Sequence, residues 1–321
     1  MKDKYPVCFA AKCKDNRIRE CSQSGGMFTL LSDEILKKGG VIYGCKLDEK
    51  FIAIHGKALT KEERDKFCGS KYIQSDLNTV FRQVQIDLDE EKWVLFSGTT
   101  CQIAGLKAFL EKSSTEKLIL VDIICHGVPS PLIWKEYLKW NEKKYDGRIV
   151  DVNFRNKLEF GWGCYVESLY LEEKQVNASY FSLLFHRHNI LRPACYKCPY
   201  KNTNHPSDLT IGDCWGIEKV NPDFKDNMGI SLVLINSEKG KLLFESVKEK
   251  CDLLQCNIQS ILQQPLREPC QKPDEREKFW VDYRLRSFDK ILRKYARFDW
   301  KVRVKRRIKK EIEFWIKIIR K

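Results

Sequence analysis

The sequence predicts an α/β fold, α+β in part: a mixed sheet with a parallel core flanked by helices, then an antiparallel region and a helical basic C-terminal tail. Three observations carry this. Apolar strand-like runs alternate with helix-spaced runs as far as the Asp146-Gly147 turn. Between residues 149 and 173 the pattern becomes every-other-residue alternation, the mark of strands with one wet face. From Ser287 onward fourteen Lys or Arg stand against four acids, so +10 of the net +14 lies in that tail.

The elements follow in order. FTLLSDEILKKGG (Phe28–Gly40) has helical spacing at Leu30, Leu31, Ile35 and Leu36 and ends in a glycine stop. GVIYGCKL (Gly40–Leu47) is a short strand. WVLFSG (Trp93–Gly98) reads as a buried strand and CQIAGLKAFLEK (Cys101–Lys112) as the helix after it. LILVDIICHG (Leu118–Gly127) is the next buried strand. Pro129–Tyr145 is helical again, with Pro131 near its N-terminus, where a missing N–H is harmless. Ile149–Lys157 and Gly163–Glu173 read as half-exposed strands, Ser207–Asp213 and Ile230–Ser237 as two more, and Glu238–Lys250 as a helix. The expected units are 1–250, divided into 1–147 and 148–250, and a helical region 251–321.

Bulk properties narrow the class. No run of about 18 apolar residues appears, so no helix is expected to span a membrane. The opening MKDKYPVCFAAKCKDNRIRE is charged throughout and lacks the apolar core of a signal peptide, so the expected location is cytoplasmic. Fourteen cysteines in a reducing compartment point to metal or redox chemistry rather than a disulfide framework. Cys45, Cys164 and Cys251, without cysteine neighbours, read as small buried hydrophobes.

Four of the remaining cysteines converge by topology. Cys101 opens a helix directly after a buried strand, and Cys125 ends the next one. In an α/β sheet the carboxyl ends of strands gather at one edge, where ligands bind. Cys195 and Cys198 form a C-x-x-C pair in the loop before a third strand and can fold over that edge. A tetrathiolate set suits an iron–sulfur cluster and also a structural zinc. Two of the four ligands are isolated in sequence, whereas zinc usually draws close pairs, which favours iron–sulfur. A second constellation, Ser24, Gly25 and Gly26, stands just ahead of a helix, where free N–H groups and the helix dipole favour phosphate. GSKY (Gly69–Tyr72) adds Lys71 after a glycine turn, as a phosphate or flavin-ring contact, the alternative being a solvated lysine.

At these residues the chain resembles a known family. SGG-x-F-T-LL, GSKY-x-QSDL, LFSGT-x-CQIAGLKAFL, VD-x-x-CHGVPSP, NFR-x-K…GW, LRP-x-CYKC and IGD-x-WGIEK, in this order, are similar to the coenzyme F-420 hydrogenase/dehydrogenase beta subunit family, in particular its stand-alone bacterial branch. The resemblance spans about Cys8 to Phe244. It implies FAD beside a [4Fe-4S] cluster, with electrons passing between them and a hydride exchanged with an organic small-molecule substrate. It places the cluster on Cys101, Cys125, Cys195 and Cys198. It places the flavin-side motifs on Ser24, Gly25, Gly26, Thr29, Ser70, Lys71 and Tyr72, and on the loop Gly98, Thr99, Thr100, Gln102. Branch context implies a link to polysaccharide biosynthesis.

The chain departs from the family pattern in three places. No ferredoxin-like domain precedes Met1, so a separate small ferredoxin-type donor or redox subunit is expected. Thr100 replaces the usual proline; the turn should survive, since proline pre-organises it but donates nothing. Cys214 stands where an aromatic or small residue is usual, as an alternative ligand or a buried thiol.

Roles for the remaining candidates follow from chemistry. His126, next to a ligand, would donate to cluster sulfur or substrate, the alternative being a satisfied structural histidine. Arg155 and Lys157 would grip the FAD pyrophosphate or an anionic substrate, the alternative being a charged strand face. His186, Arg187 and His188 are substrate-side candidates. Asp213 would orient a loop or accept a hydrogen bond from the flavin, and Trp162 and Trp215 would cover its ring or else serve as buried core aromatics. In the tail, Ile308, Ile312, Trp315, Ile316 and Ile319 with interspersed Lys and Arg predict a basic amphipathic helix for a membrane surface or a partner. No recognition motif for nucleic acid is present. Two other readings stand beside the flavoenzyme: a non-catalytic relative with zinc or an empty site, and an electron-transfer subunit needing a second polypeptide.

Overall fold

Eleven strands form two sheets in the computed structural model, which describes residues 5–296. The strands are β1 (Val7–Cys13), β2 (Val41–Leu47), β3 (Ala53–Ala58), β4 (Val94–Thr99), β5 (Leu118–Ile123), β6 (Ile149–Asn153), β7 (Glu167–Leu171), β8 (Gln175–Ala178), β9 (Leu209–Asp213), β10 (Ser231–Ile235) and β11 (Cys251–Gln255). Eight make one mixed sheet in the order β11-β1-β10-β9-β5-β4-β2-β3. Its centre, β2, β4, β5 and β9, is parallel. Antiparallel pairs flank it on both sides. The other sheet is β6-β7-β8, all antiparallel.

The near-continuous apolar runs of β4 and β5 follow from burial on both faces. Leu95, Ile119 and Val121 point to one side, onto Leu30, Leu31 and Ile35 of the helix Met27–Lys37. Val94, Phe96, Leu118 and Leu120 point to the other, onto Val80 and Val84 of the helix Val80–Asp89 and Ile103 and Leu106 of the helix Thr100–Phe109. Alternate residues therefore feed opposite helix layers, as the two-residue strand period demands. Trp134 and Tyr137 of the helix Pro131–Tyr145 anchor a further core with Leu169, Phe181, Phe279 and Ile291. That core ties the small sheet to the helices Arg276–Leu285 and Phe288–Tyr295.

Several elements differ from the sequence expectation. The strand expected over Ile149–Lys157 stops at Asn153, because the Asn156 side chain accepts the Glu159 N–H (3.2 Å) and caps a short helix, Lys157–Phe160. The strand expected from Gly163 starts at Glu167. β1 forms inside the charged opening segment, since its Ala10 and Ala11 are fully buried between β10 and β11. β11 lies beyond residue 250 and pairs with β1, so the large sheet runs across the boundary expected there. The expected amphipathic helix of the tail lies outside the described residues.

Candidate functional site

A cleft of about 1430 Å³ opens where the parallel strands end. Its walls include Gly98 and Thr99 of β4, Cys125 just beyond β5, and Asp213 of β9. Ser24 and Gly26 line it at the start of the helix Met27–Lys37, and Gly69, Ser70, Lys71 and Tyr72 line it from the GSKY loop. Typical small-molecule sites occupy about 300–1,000 Å³, so this one has room for a ligand and a second molecule beside it.

The four thiols gather at the same strand edge. Cys101 sits in the first turn of the helix Thr100–Phe109, whose start is fixed by Gln102 Oε1 accepting the Thr99 N–H at 2.9 Å. Cys195 lies in, and Cys198 directly follows, the tight turn Pro193–Lys197. Cys125 has Cys195 and Cys101 as charge neighbours, and Cys195 has Cys101 and Cys198. Gly127 follows in a left-handed conformation (φ +142°), and a Cβ there would stand 3.6 Å from the Cys195 Cβ. Cys101 and Cys125 line both the cleft and a small hollow closed by Cys198 and Lys201. Burial pushes the Cys125 thiol up to about 12, with Lys201 opposing. Lys201 is 7% exposed and donates to the Cys125 carbonyl. Among the described residues no carboxylate pairs with it.

Asp213 organises the far side of the cleft. Arg155 Nη1 donates to its Oδ2 at 2.5 Å, Trp162 Nε1 to its Oδ1 at 2.9 Å, and the Ser24 hydroxyl also donates to Oδ1. The Arg155 guanidinium lies 5.2 Å from the Trp215 ring centre and 5.6 Å from that of Tyr165. Trp162 is buried and stacks on Trp215 at 4.4 Å, so Trp215 is the one of the pair that faces the cleft. Three polar atoms on cleft-lining residues are buried without a partner: Gln23 Nε2, His55 Nδ1 and Arg155 Nε.

Not every sequence candidate reaches the cleft. Gly25 lies behind it: a Cβ there would meet the Ala11 carbonyl oxygen at 2.1 Å and the Ser231 nitrogen at 2.7 Å. Its role is to let the chain pass between β1 and β10. Gly25→Ala should therefore cost on the order of 3 kcal/mol or more, read from the urea midpoint; an unchanged midpoint would show that the strands yield freely. Thr29 is buried against Cys68, its hydroxyl 3.6 Å from the sulfur. Thr100 is buried beside His205. Lys157 turns away and donates to the Arg19 and Met228 carbonyls (2.5 and 2.6 Å), and burial lowers its pKa to about 8. Lys71 lines the cleft, but its ammonium donates to the Cys68 carbonyl at 2.6 Å and the Lys66 carbonyl at 3.0 Å. His186 lines the cleft, while Arg187 bonds the Tyr295 carbonyl at 2.9 Å. Cys214 is fully buried in an apolar cluster with Cys8 and Cys256. Cys45, expected in the core, is half-buried and lines the cleft.

Gln23, His55, Lys201 and Cys270 stand at or beside the site and were not singled out by sequence. Lys201 follows Cys198 by three residues and Gln23 directly precedes Ser24; these are the cues the sequence offers. His55 Nε2 sits 3.1 Å from the Ser97 carbonyl oxygen and its ring stacks on Phe96. Burial lowers its pKa to about 4. An unfolded histidine titrates near 6.5. Acidification from there to pH 4 protonates the unfolded chain first, so His55 costs the fold up to about 3 kcal/mol. His55→Gln should flatten the slope of stability against pH in that window; an unaltered slope would assign it to other groups.

The comparisons agree with this architecture. The family model that describes the C terminus of the coenzyme F420 hydrogenase/dehydrogenase beta subunit matches residues 91–260. No curated protein matches the chain. A chain of the xenon-derivatised F420-reducing [NiFe] hydrogenase complex from Methanosarcina barkeri has a similar fold, with a TM-score of 0.58 at 18% identity over 81% of this chain and 85% of that one. The matched segment includes the ends of β4, β5 and β9 and all four gathered cysteines, and it exceeds half of the sequence. The protein therefore belongs to the coenzyme F420 hydrogenase/dehydrogenase beta subunit family, a family of redox proteins.

Proposed function

We infer that the protein is an iron–sulfur flavoprotein oxidoreductase, with a [4Fe-4S] cluster on Cys101, Cys125, Cys195 and Cys198 and FAD in the cleft. The observation that carries this is Lys201. A buried ammonium without a carboxylate is costly beside neutral thiols and favourable beside an anion. Four thiolates around a cubane supply that anion. Spacing supports iron over zinc. Tetrahedral Zn–S bonds of about 2.3 Å bring sulfurs to roughly 3.8 Å. Among the described residues, the only group of ligand atoms within 4.8 Å of one another is a different one, His126, His188 and Cys270.

The cleft suits FAD by its donors. The helix Met27–Lys37 begins at Gly26 without a side-chain cap, leaving its first N–H groups for a pyrophosphate. The unpartnered Arg155 Nε and Gln23 Nε2 supply further donors, and Trp215 and Tyr72 supply ring surfaces. Ser24 and Asp213 hold Arg155 in place, Gln102 holds the Gly98–Thr99 turn, and Ser70 lines the loop opposite. When bound, FAD would supply hydride chemistry and the cluster one-electron transfer, which would couple two-electron to one-electron steps. His126 lines the cleft wall beside Cys125 and would contact a substrate there.

Anaerobic purification tests the reading. A brown protein with about four iron atoms and one FAD per chain is expected; a colourless protein holding zinc at the four thiols would instead support a non-catalytic scaffold. The exposed Cys101 favours a second reading, an electron-transfer subunit whose cluster edge meets a ferredoxin-type donor or redox subunit. That reading predicts no turnover of small molecules until the second polypeptide is added.

A further inference from the structure

We propose that His126, His188 and Cys270 form a separate mononuclear centre for a borderline divalent cation of the Zn²⁺ type, beside the cleft. Their ligand atoms lie within 4.8 Å of one another. The two Nε2 atoms face each other at 2.8 Å, and the Cys270 Sγ stands 2.9 Å from the His126 carbonyl oxygen. The three residues come from distant places: the end of β5, the turn after the helix Tyr180–His186, and the segment before the helix Arg276–Leu285. Folding alone unites them.

The geometry needs little adjustment. Zn–N bonds of about 2.0–2.1 Å and a Zn–S bond of about 2.3 Å put donors roughly 3.3–3.6 Å apart. The imidazoles must part by about 0.5 Å, and the thiol must close by at most about 1.3 Å. The donor set selects the metal class. Two imidazoles and a thiolate suit zinc and its neighbours, whereas magnesium and calcium take oxygen. The two imidazoles already meet through Nε2, a ring nitrogen that metals bind. Binding replaces the Cys270 S–H bond with an S–Zn bond and sends one proton to solvent.

The outer contacts match. His188 hydrogen-bonds the Gln271 backbone, adjacent to the third ligand, as metal-bound imidazoles are usually oriented. Its backbone is left-handed (φ +63°), rare for a non-glycine residue, and the Tyr196 hydroxyl donates to its carbonyl. Lys201 is the adverse neighbour of a cation here. Three protein ligands leave a fourth position for water or a molecule in the cleft that His126 lines.

Zinc content and zinc K-edge absorption of the full-length, anaerobically purified protein test this after equilibration with Zn²⁺ and removal of the excess. One zinc per chain is expected, with two nitrogens and one sulfur in its shell and about one proton released. Cys270→Ser and His188→Gln should each weaken zinc binding about tenfold or more while circular dichroism is unchanged. Should either variant fail to fold, Cys270→Ala gives the same readout. A folded wild type that keeps no zinc, or a four-sulfur shell that survives Cys270→Ser, overturns the proposal.

Discussion

Cys195→Ser leaves the anaerobically purified protein without iron, and Cys251→Ser keeps the full complement: this is the largest effect expected. Cys195 has Cys101, Cys198 and Lys201 as charge neighbours, so serine would remove one of the four soft ligands proposed for the cluster. Cys251 begins β11, buried at 6% exposure, with its sulfur 3.7 Å from the Met27 sulfur. Serine there costs packing but touches no member of the quartet. Iron analysis of the two variants, with circular dichroism to show that both fold, decides the matter. Equal iron loss in both would sink the ligand assignment. A Cys195→Ser protein that keeps its iron would do the same.

Asp213→Ala should be the most damaging single change in the cleft wall. The carboxylate pairs with Arg155, whose side chain is 1% exposed, and accepts from Trp162 and Ser24 as well. Alanine strands a buried guanidinium and two donors. Breaking a buried pair from one side costs about 3–5 kcal/mol. Chemical denaturation measures it, and the same variant should copurify with less FAD, because Arg155 loses its orientation. Asp213→Asn keeps the acceptor for Trp162 and Ser24 but not the charge, so its loss should be smaller. A loss below about 1 kcal/mol for alanine would mean that water reaches Arg155 and that the pair is a surface one.

The parallel centre of the sheet was legible because burial on both faces writes long apolar runs, as in Val94–Phe96 and Leu118–Val121. Edge strands write weaker signals. β11, at the edge, reads Cys-Asp-Leu-Leu-Gln with only Cys251 buried, and β1, though interior, hides in a charged segment. The strand expected to reach Lys157 was cut short by a side-chain cap, a local hydrogen bond that periodicity does not encode.

The site divided the same way. Sequence placed Cys101 and Cys125 at strand ends, because a parallel sheet sends all its carboxyl ends to one edge whatever its details. It also found the C-x-x-C pair and the cleft-lining residues Ser24, Gly26, Ser70, Lys71 and Tyr72. The direction in which Lys157 points, the packing duty of Gly25, the burial of Lys201 against the Cys125 carbonyl and the meeting of His126 with His188 and Cys270 were decided only by tertiary structure. Periodicity and strand ends are properties of neighbours along the chain. Which buried polar groups find partners depends on residues brought together from far apart, and no local pattern records that.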